Sequence, residues 1–367
     1  MQITSVDVQL LELPLARPIV AAVTSGKRGA AGTSIFMPVV SVQTDEGLSG
    51  LGYAWCVRVG GRAMLTTLRE DLVPALIGED PRDHEHLWQK MYWQTQSIGR
   101  HGLVIQAQSA LDLALWDLKG KAAGQPLYKL LGGLRQSAPV YGSDGGWLNM
   151  SVEEMLKAAD EYLNQGMRGI KLKVGHDDPL TDRNRVRQVR EALGPDIWIA
   201  VDANQKWDYP TALRMGREFE QLGCVWYEEP MICADVVGHA RLAAKLDIPI
   251  ALGETLGSRY EIDAFLRADA VDIVQPDLTR VGGITEFLKV AVLASTAGRP
   301  VEPHLMMEAS VHLACALPGV EGLEYMPWLT PAFAASPRLE NGEMVVTDAP
   351  GLGLEISPKA MEQYRVA

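Results

Sequence analysis

The chain has 367 residues, 47% of them hydrophobic and 22% charged, which are the proportions of an ordinary globular protein and exclude disorder, collagen-like repeats and low-complexity scaffolds. Its 34 basic and 46 acidic residues leave a formal charge of −12, a field that repels phosphate backbones and anionic membrane surfaces, so neither nucleic acid nor membrane is an expected partner. Cys56, Cys224, Cys233 and Cys315 form no CxxC pair, which argues against a zinc ribbon or a disulfide framework. With no signal-peptide pattern and no apolar run near ~20 residues, a cytoplasmic protein is expected.

In chain order, strands come first. Residues 3–13 alternate like a half-buried strand, and residues 37–43 and 50–55 flank Asp45-Glu46-Gly47, a hairpin signal. Between them residues 21–34 are small, polar and glycine-rich, the composition of a mobile loop. Residues 106–120 place apolar side chains at helical spacing and stop at a glycine. Residues 1–130 are thus expected to form a compact α+β domain.

From Ala138 onwards short β-branched runs alternate with amphipathic stretches: 169–174, 197–202, 225–228, 248–253, 273–275 and 299–303. Such alternation predicts βαβ units and a parallel sheet. Each run ends in an ionisable residue, namely Lys173, Asp202, Glu228, Glu254, Asp277 and His304, with Glu324 following, at intervals between 20 and 29 residues. One βα unit fits each interval. In a (β/α) barrel the C-terminal strand ends converge on one mouth, where such barrels do their chemistry, so a ladder in step predicts one active site.

Asp202 in IAVDAN, Glu228 in WYEEP and Glu254 in ALGET would set three carboxylates on adjacent strand ends. Their repulsion calls for a divalent cation, and oxygen-only ligation favours Mg²⁺, or Mn²⁺, over zinc. Glu228 is read as the ligand and Glu229 as its neighbour, with Asn204 behind them. Lys171 and Lys173, two apart in GIKLKV, share one face of a strand. Burial and a second cation lower an amine's pKa towards that of a general base, which makes Lys173 the proton-transfer group and Lys171 its tuning partner or a contact for a substrate carboxylate. Asp277 in VQPD and His304 in VEPH stand on consecutive strand ends, so the carboxylate can orient the imidazole. Glu324 would donate a hydrogen bond to an enolate oxygen if its pKa were raised.

In order and spacing, the KLK strand, DAN, EEP, GET, QPD, EPH and Glu324 resemble the enolase superfamily, specifically its mandelate racemase subgroup, over essentially the whole chain. The resemblance implies a modified TIM barrel, (β/α)7β, over residues 131–325, capped by the 1–130 domain together with a 326–367 segment that returns to it. It implies Mg²⁺ on Asp202, Glu228 and Glu254, acid/base roles for Lys173 and for His304 with Asp277, an electrophilic role for Glu324, and a dimer-based homo-oligomer such as an octamer.

A metal and hydrogen-bond donors make the enediolate of a carboxylic acid reachable. Racemisation and dehydration are both open to such a site. Cations at the cap rim, Arg58, Arg62, Lys27 and Arg28, with Ser143 in the YGSDGG loop, suit a polyhydroxy acid as the small anionic partner. Through LIGEDP, SIGR and PHLMME the chain is similar to acid-sugar dehydratases of the talarate/galactarate type. The expected reaction is dehydration of an aldarate or aldonate to a 2-keto-3-deoxy acid, the alternatives being a racemase or epimerase, or a cycloisomerase of a sugar-acid derivative.

Overall fold

The structure, a computed structural model, describes residues 1–22 and 31–367. Strand β1 (Ile3–Ile19) pairs antiparallel with β2 (Gly32–Thr44), and the ladder runs from Ile3 opposite Thr44 past Leu11–Met37 and Leu13–Ile35 to Ile19 opposite Gly32. Both strands are longer than the sequence suggested, β1 running on to Ile19 and β2 starting at Gly32. Alternating burial continues through Ile35 and Leu13, so residues 32–34, expected in a loop, belong to β2, and residues 23–30 of that loop lie outside the described part. Strand β3 (Ser49–Tyr53) adds to β2, and the short β4 (Cys56–Val57) folds back onto its first half.

The helix Leu103–Ala122 lies across β3 and is buried along most of its length. Contact this close requires glycine. A Cβ at Gly52 would stand 1.9 Å from the Ala110 carbonyl oxygen, and one at Gly50 2.2 Å from that of Ala114.

Six strands then follow in parallel order: β5 (Ser137–Gly142), β6 (Gly169–Lys173), β7 (Trp198–Asp202), β8 (Tyr227–Glu228), β9 (Ile250–Leu252) and β10 (Ile273–Val274). The predicted 299–303 strand is reduced to single bridges, Val274–Val301, Asp277–His304 and Val301–Val320. Strand β11 (Leu323–Tyr325) pairs in parallel with β5 and closes the barrel. Five of the helices packed outside it, Val152–Asn164, Pro179–Leu193, Tyr209–Gln221, Val236–Ala243 and Arg259–Arg267, start at Ser151, Asp178, Asp208, Asp235 and Ser258, whose side chains accept backbone N–H bonds.

Inside the barrel, Tyr141, Trp198 and Trp226 meet edge to face at 4.5–5.2 Å between ring centres. Small Ala200 and Ala251 make room for these rings, and all apart from the half-buried Trp198 are buried. After β11, β12 (Phe333–Ala335) pairs with β15 (Glu355–Ile356), while the hairpin of β13 (Arg338–Glu340) and β14 (Glu343–Val345) adds to the start of β5. The final residues extend β1, with 2.8 Å bonds from Val366 N to Leu10 O and from Leu10 N to Ala367 O. One buried apolar cluster runs from Leu11, Trp55 and Leu113 in the first domain to Leu172, Val201 and Leu278 in the barrel. Among the described residues no helix is long and apolar enough to cross a membrane.

Candidate active site

Alternation along β6 turns Lys171 and Lys173 into the barrel while Ile170 and Leu172 join the surrounding core. Asp202 ends β7, Glu228 ends β8, Glu254 lies two residues beyond β9, and Asp277 and His304 bridge the next two strand ends. All of them, with Glu324 on β11, are buried. Oxygens of Asp202, Glu228 and Glu254 come within 4.8 Å of one another.

Each carboxylate has one oxygen tied to its own surroundings. Glu228 Oε2 accepts from Trp226 Nε1 (3.1 Å) and Gln275 Nε2 (2.8 Å), while Oε1 meets Lys171 Nζ at 2.7 Å. Asp202 Oδ1 accepts from the Asn204 backbone N–H (2.8 Å), and Oδ2 pairs closely with Lys173 Nζ. Glu254 Oε1 faces Arg280 Nη1 at 3.3 Å, and Oε2 faces His304 Nε2 at 3.0 Å. Glu229 turns out of the cluster on a left-handed backbone, φ 37°. Its carboxylate accepts from Thr255 Oγ1 (2.7 Å), Cys233 Sγ (3.2 Å) and Gln205 Nε2 (3.2 Å).

On the far side, Asp277 Oδ1 caps the turn beginning at Leu278, accepting from Thr279 N at 2.7 Å. That leaves Oδ2 for His304 Nδ1 at 2.7 Å. Glu324 accepts from Ser143 Oγ (2.6 Å), Lys171 Nζ (2.8 Å) and the Leu305 N–H (2.9 Å).

These contacts set the charges. Burial lowers the His304 imidazole, but Glu254, Glu324 and Asp277 outweigh it and carry the pKa up to about 10. Burial raises Glu228, with Asp202 adding to the effect. Two expectations need correcting. Lys173 was expected to have a lowered pKa; burial and Lys171 do lower it, but the carboxylates of Asp202, Glu254 and Glu228 prevail and the pKa is raised. Donation by Glu324 was conditional on a raised pKa; burial does raise it, yet Lys171 and His304 pull it down to about 2, so that condition is not met in this arrangement.

The rim residues are scattered. Ser143 spends its hydroxyl on Glu324. Arg58 is half-buried with φ 64° in the loop after β4. Arg62 is exposed on helix Gly61–Thr66; it forms no side-chain hydrogen bond or ion pair with the cluster, because a helix start turns it outward. Lys27 and Arg28 lie outside the described residues. Sequence reasoning missed Trp226 and Gln275, which reach Glu228 from beside β8 and β10, and Arg280, which reaches Glu254 from the short helix Leu278–Val281. The signal was available: Trp226 and Gln275 each stand two residues from a ladder position, on the same strand face.

Three converging carboxylates without a sulfur donor fit a hard divalent cation. Asn204 Oδ1, buried beside Asp202 without a donor, fits the same environment.

Two family models match the chain, the mandelate racemase / muconate lactonizing enzyme N-terminal domain over residues 5–132 and the enolase C-terminal domain-like model over 154–360. L-talarate/galactarate dehydratase of Salmonella typhimurium LT2 is 42% identical over 97% of this chain and 89% of its own length. Its crystal structure with Mg and L-lyxarohydroxamate superposes with a TM-score of 0.95, covering 100% of this chain and 93% of that one, at 41% identity. L-talarate dehydratase of Polaromonas sp. JS666, complexed with Mg and L-glucarate, gives 0.94 at 44% identity, with 100% and 98% covered. A 3,6-anhydro-alpha-L-galactonate cycloisomerase of Streptomyces coelicolor is 36% identical over 92% of this chain and 93% of its own.

Proposed function

The chain belongs to the mandelate racemase/muconate lactonizing enzyme family of the enolase superfamily, and from that premise we propose that it dehydrates an acid sugar, an aldarate or aldonate such as galactarate or talarate, to the 2-keto-3-deoxy acid. The observation that carries this reading is an ammonium and an imidazole set against opposite members of one carboxylate cluster, Lys173 on Asp202 and His304 on Glu254. Asp202, Glu228 and Glu254 would hold Mg²⁺, which when bound would stabilise the negative charge developing on the substrate carboxylate.

The chain's own groups do the rest. Lys171 faces that carboxylate as a fixed positive charge. One of Lys173 and His304 takes the proton from the carbon next to the carboxylate, and the other gives a proton to the departing β-hydroxyl. A C–H and a C–O bond break, water leaves, and the enol relaxes to the 2-keto acid. Lys173 would work as a base once Asp202, Glu228 and Glu254 are engaged by the cation, because burial and Lys171 then outweigh them. Arg58, three residues after the buried Trp55, would meet the far end of the substrate.

The test is to incubate the protein and Mg²⁺ with aldarates, aldonates and their lactones. Formation of a 2-keto acid supports the dehydratase. Deuterium uptake from solvent without keto acid would make it an epimerase, and rearrangement without loss of water a cycloisomerase, the activity for which the Streptomyces relative is named. Chelation of the metal should abolish turnover. Lys173→Ala and His304→Asn should each lower kcat by about 10² or more while circular dichroism is unchanged; a near-parental rate in either removes that residue from the pair.

A further inference from the structure

Three indoles connect the two proton-transfer groups. Trp147, in the loop after β5, and Trp328, after β11, stack with centroids 5.6 Å apart and planes 20° from parallel. Both Nε1–H groups donate to one atom, Asp144 Oδ1, at 2.9 and 3.0 Å. The Lys173 ammonium lies 5.4 Å from the Trp147 ring centre. At the other end Trp328 meets Trp55 edge-on at 6.3 Å. Trp55, from the cap, donates through Nε1 to Asp277 Oδ2 at 3.2 Å, the oxygen that also takes His304 Nδ1.

We propose that Asp144 is a positioning residue for both acid/base groups: by clasping Trp147 to Trp328 across the β5–β11 closure of the barrel, it fixes the shelf under Lys173 and the wall behind His304. Asp144 belongs to none of the catalytic or ligand positions. Its hydrogen bonds come from the two indoles, while Arg17 acts on it only as a charge. A half-buried carboxylate held by two neutral donors is a poor source of stability. What it supplies is direction, since one acceptor atom satisfies two indole N–H groups from separate loops. A catalytic group displaced by ~1 Å can cost on the order of 10² in rate, and an ammonium over an indole face is favoured there.

The proposal rests on the reading of Lys173 and His304 as the proton-transfer pair, so Lys173→Ala accompanies the test. With galactarate and Mg²⁺, or the acid sugar that the panel shows to be turned over, kcat and KM are measured for Asp144→Ala, Asp144→Asn, Trp147→Phe and Trp147→Leu. Asp144→Ala should lower kcat about 10- to 100-fold with KM little changed. Asp144→Asn, whose amide oxygen accepts both indole bonds, should recover most of that loss. Trp147→Phe should keep more activity than Trp147→Leu, because the ring face remains. If Asp144→Ala fails to fold, Asp144→Asn and the Trp147 pair carry the comparison. A parental kcat in Asp144→Ala, an Asp144→Asn as impaired as Asp144→Ala, or a loss confined to KM each overturns the proposal. A parental rate in Lys173→Ala overturns the acid/base reading instead.

Discussion

The two oxygens of Glu228 have different partners. Oε2 is held by Trp226 and Gln275, so Oε1 is the atom free to exchange Lys171 for a cation. Groups behind a metal ligand typically set affinity by 10- to 100-fold. Gln275→Leu should therefore weaken Mg²⁺ binding by about 10-fold or more in calorimetry without substrate; unchanged affinity would show that Trp226 suffices. At this scale the sequence is legible in part. Ladder residues stand out because each ends an apolar run, whereas Gln275 needs the strand register, and Arg280 the turn into the helix after β10, to find a carboxylate. The charge states were not legible. Whether Lys173 titrates up or down depends on how many carboxylates surround it, and Glu324 lies within reach of Lys171 and His304, which sit 153 and 20 positions before it in the chain.

Elements are read more faithfully than their ends. The alternation of strands with amphipathic stretches marked the barrel units, and the Asp45-Glu46-Gly47 turn marked the β2–β3 hairpin. Strands of two or three residues, such as β8 to β10, blur into their flanks, and the strand before His304 survives as isolated bridges. The joint between β3 and the Leu103–Ala122 helix offers a direct check. At Gly52 an added methyl would press on a helix carbonyl, a backbone atom that cannot rotate away. Gly52→Ala should cost about 3 kcal/mol, the upper end for overpacking, measured by urea unfolding; a loss under about 1 kcal/mol would mean that helix and sheet move apart freely.

Over the whole molecule, His312 joins three segments. Its Nδ1 accepts from the Tyr128 N–H (3.3 Å) and its Nε2 donates to Leu352 O (3.0 Å), so the neutral ring ties a barrel helix to the chain on either side. Burial holds its pKa at about 4, below the ordinary 6.5 of a histidine. A group depressed in the folded state stabilises it above the unfolded pKa, and the contribution is lost as pH falls from 6.5 towards 4. The loss should approach about 3 kcal/mol, and His312→Gln should flatten the fall of the urea midpoint over this range. An unchanged slope would assign acid lability elsewhere. The net charge of −12 says nothing of this, nor of the concentrated lysines in the barrel.

The rings of Tyr141, Trp198 and Trp226 that fill the barrel beneath Lys171 have a kinetic corollary. They make the site a blind well, in which reactant and product would use the same opening. Under the proposed dehydration, the keto acid would have to vacate before the next molecule descends. It should therefore inhibit competitively in steady-state assays, with turnover slowing as it accumulates, and a purely noncompetitive pattern would require a second exit.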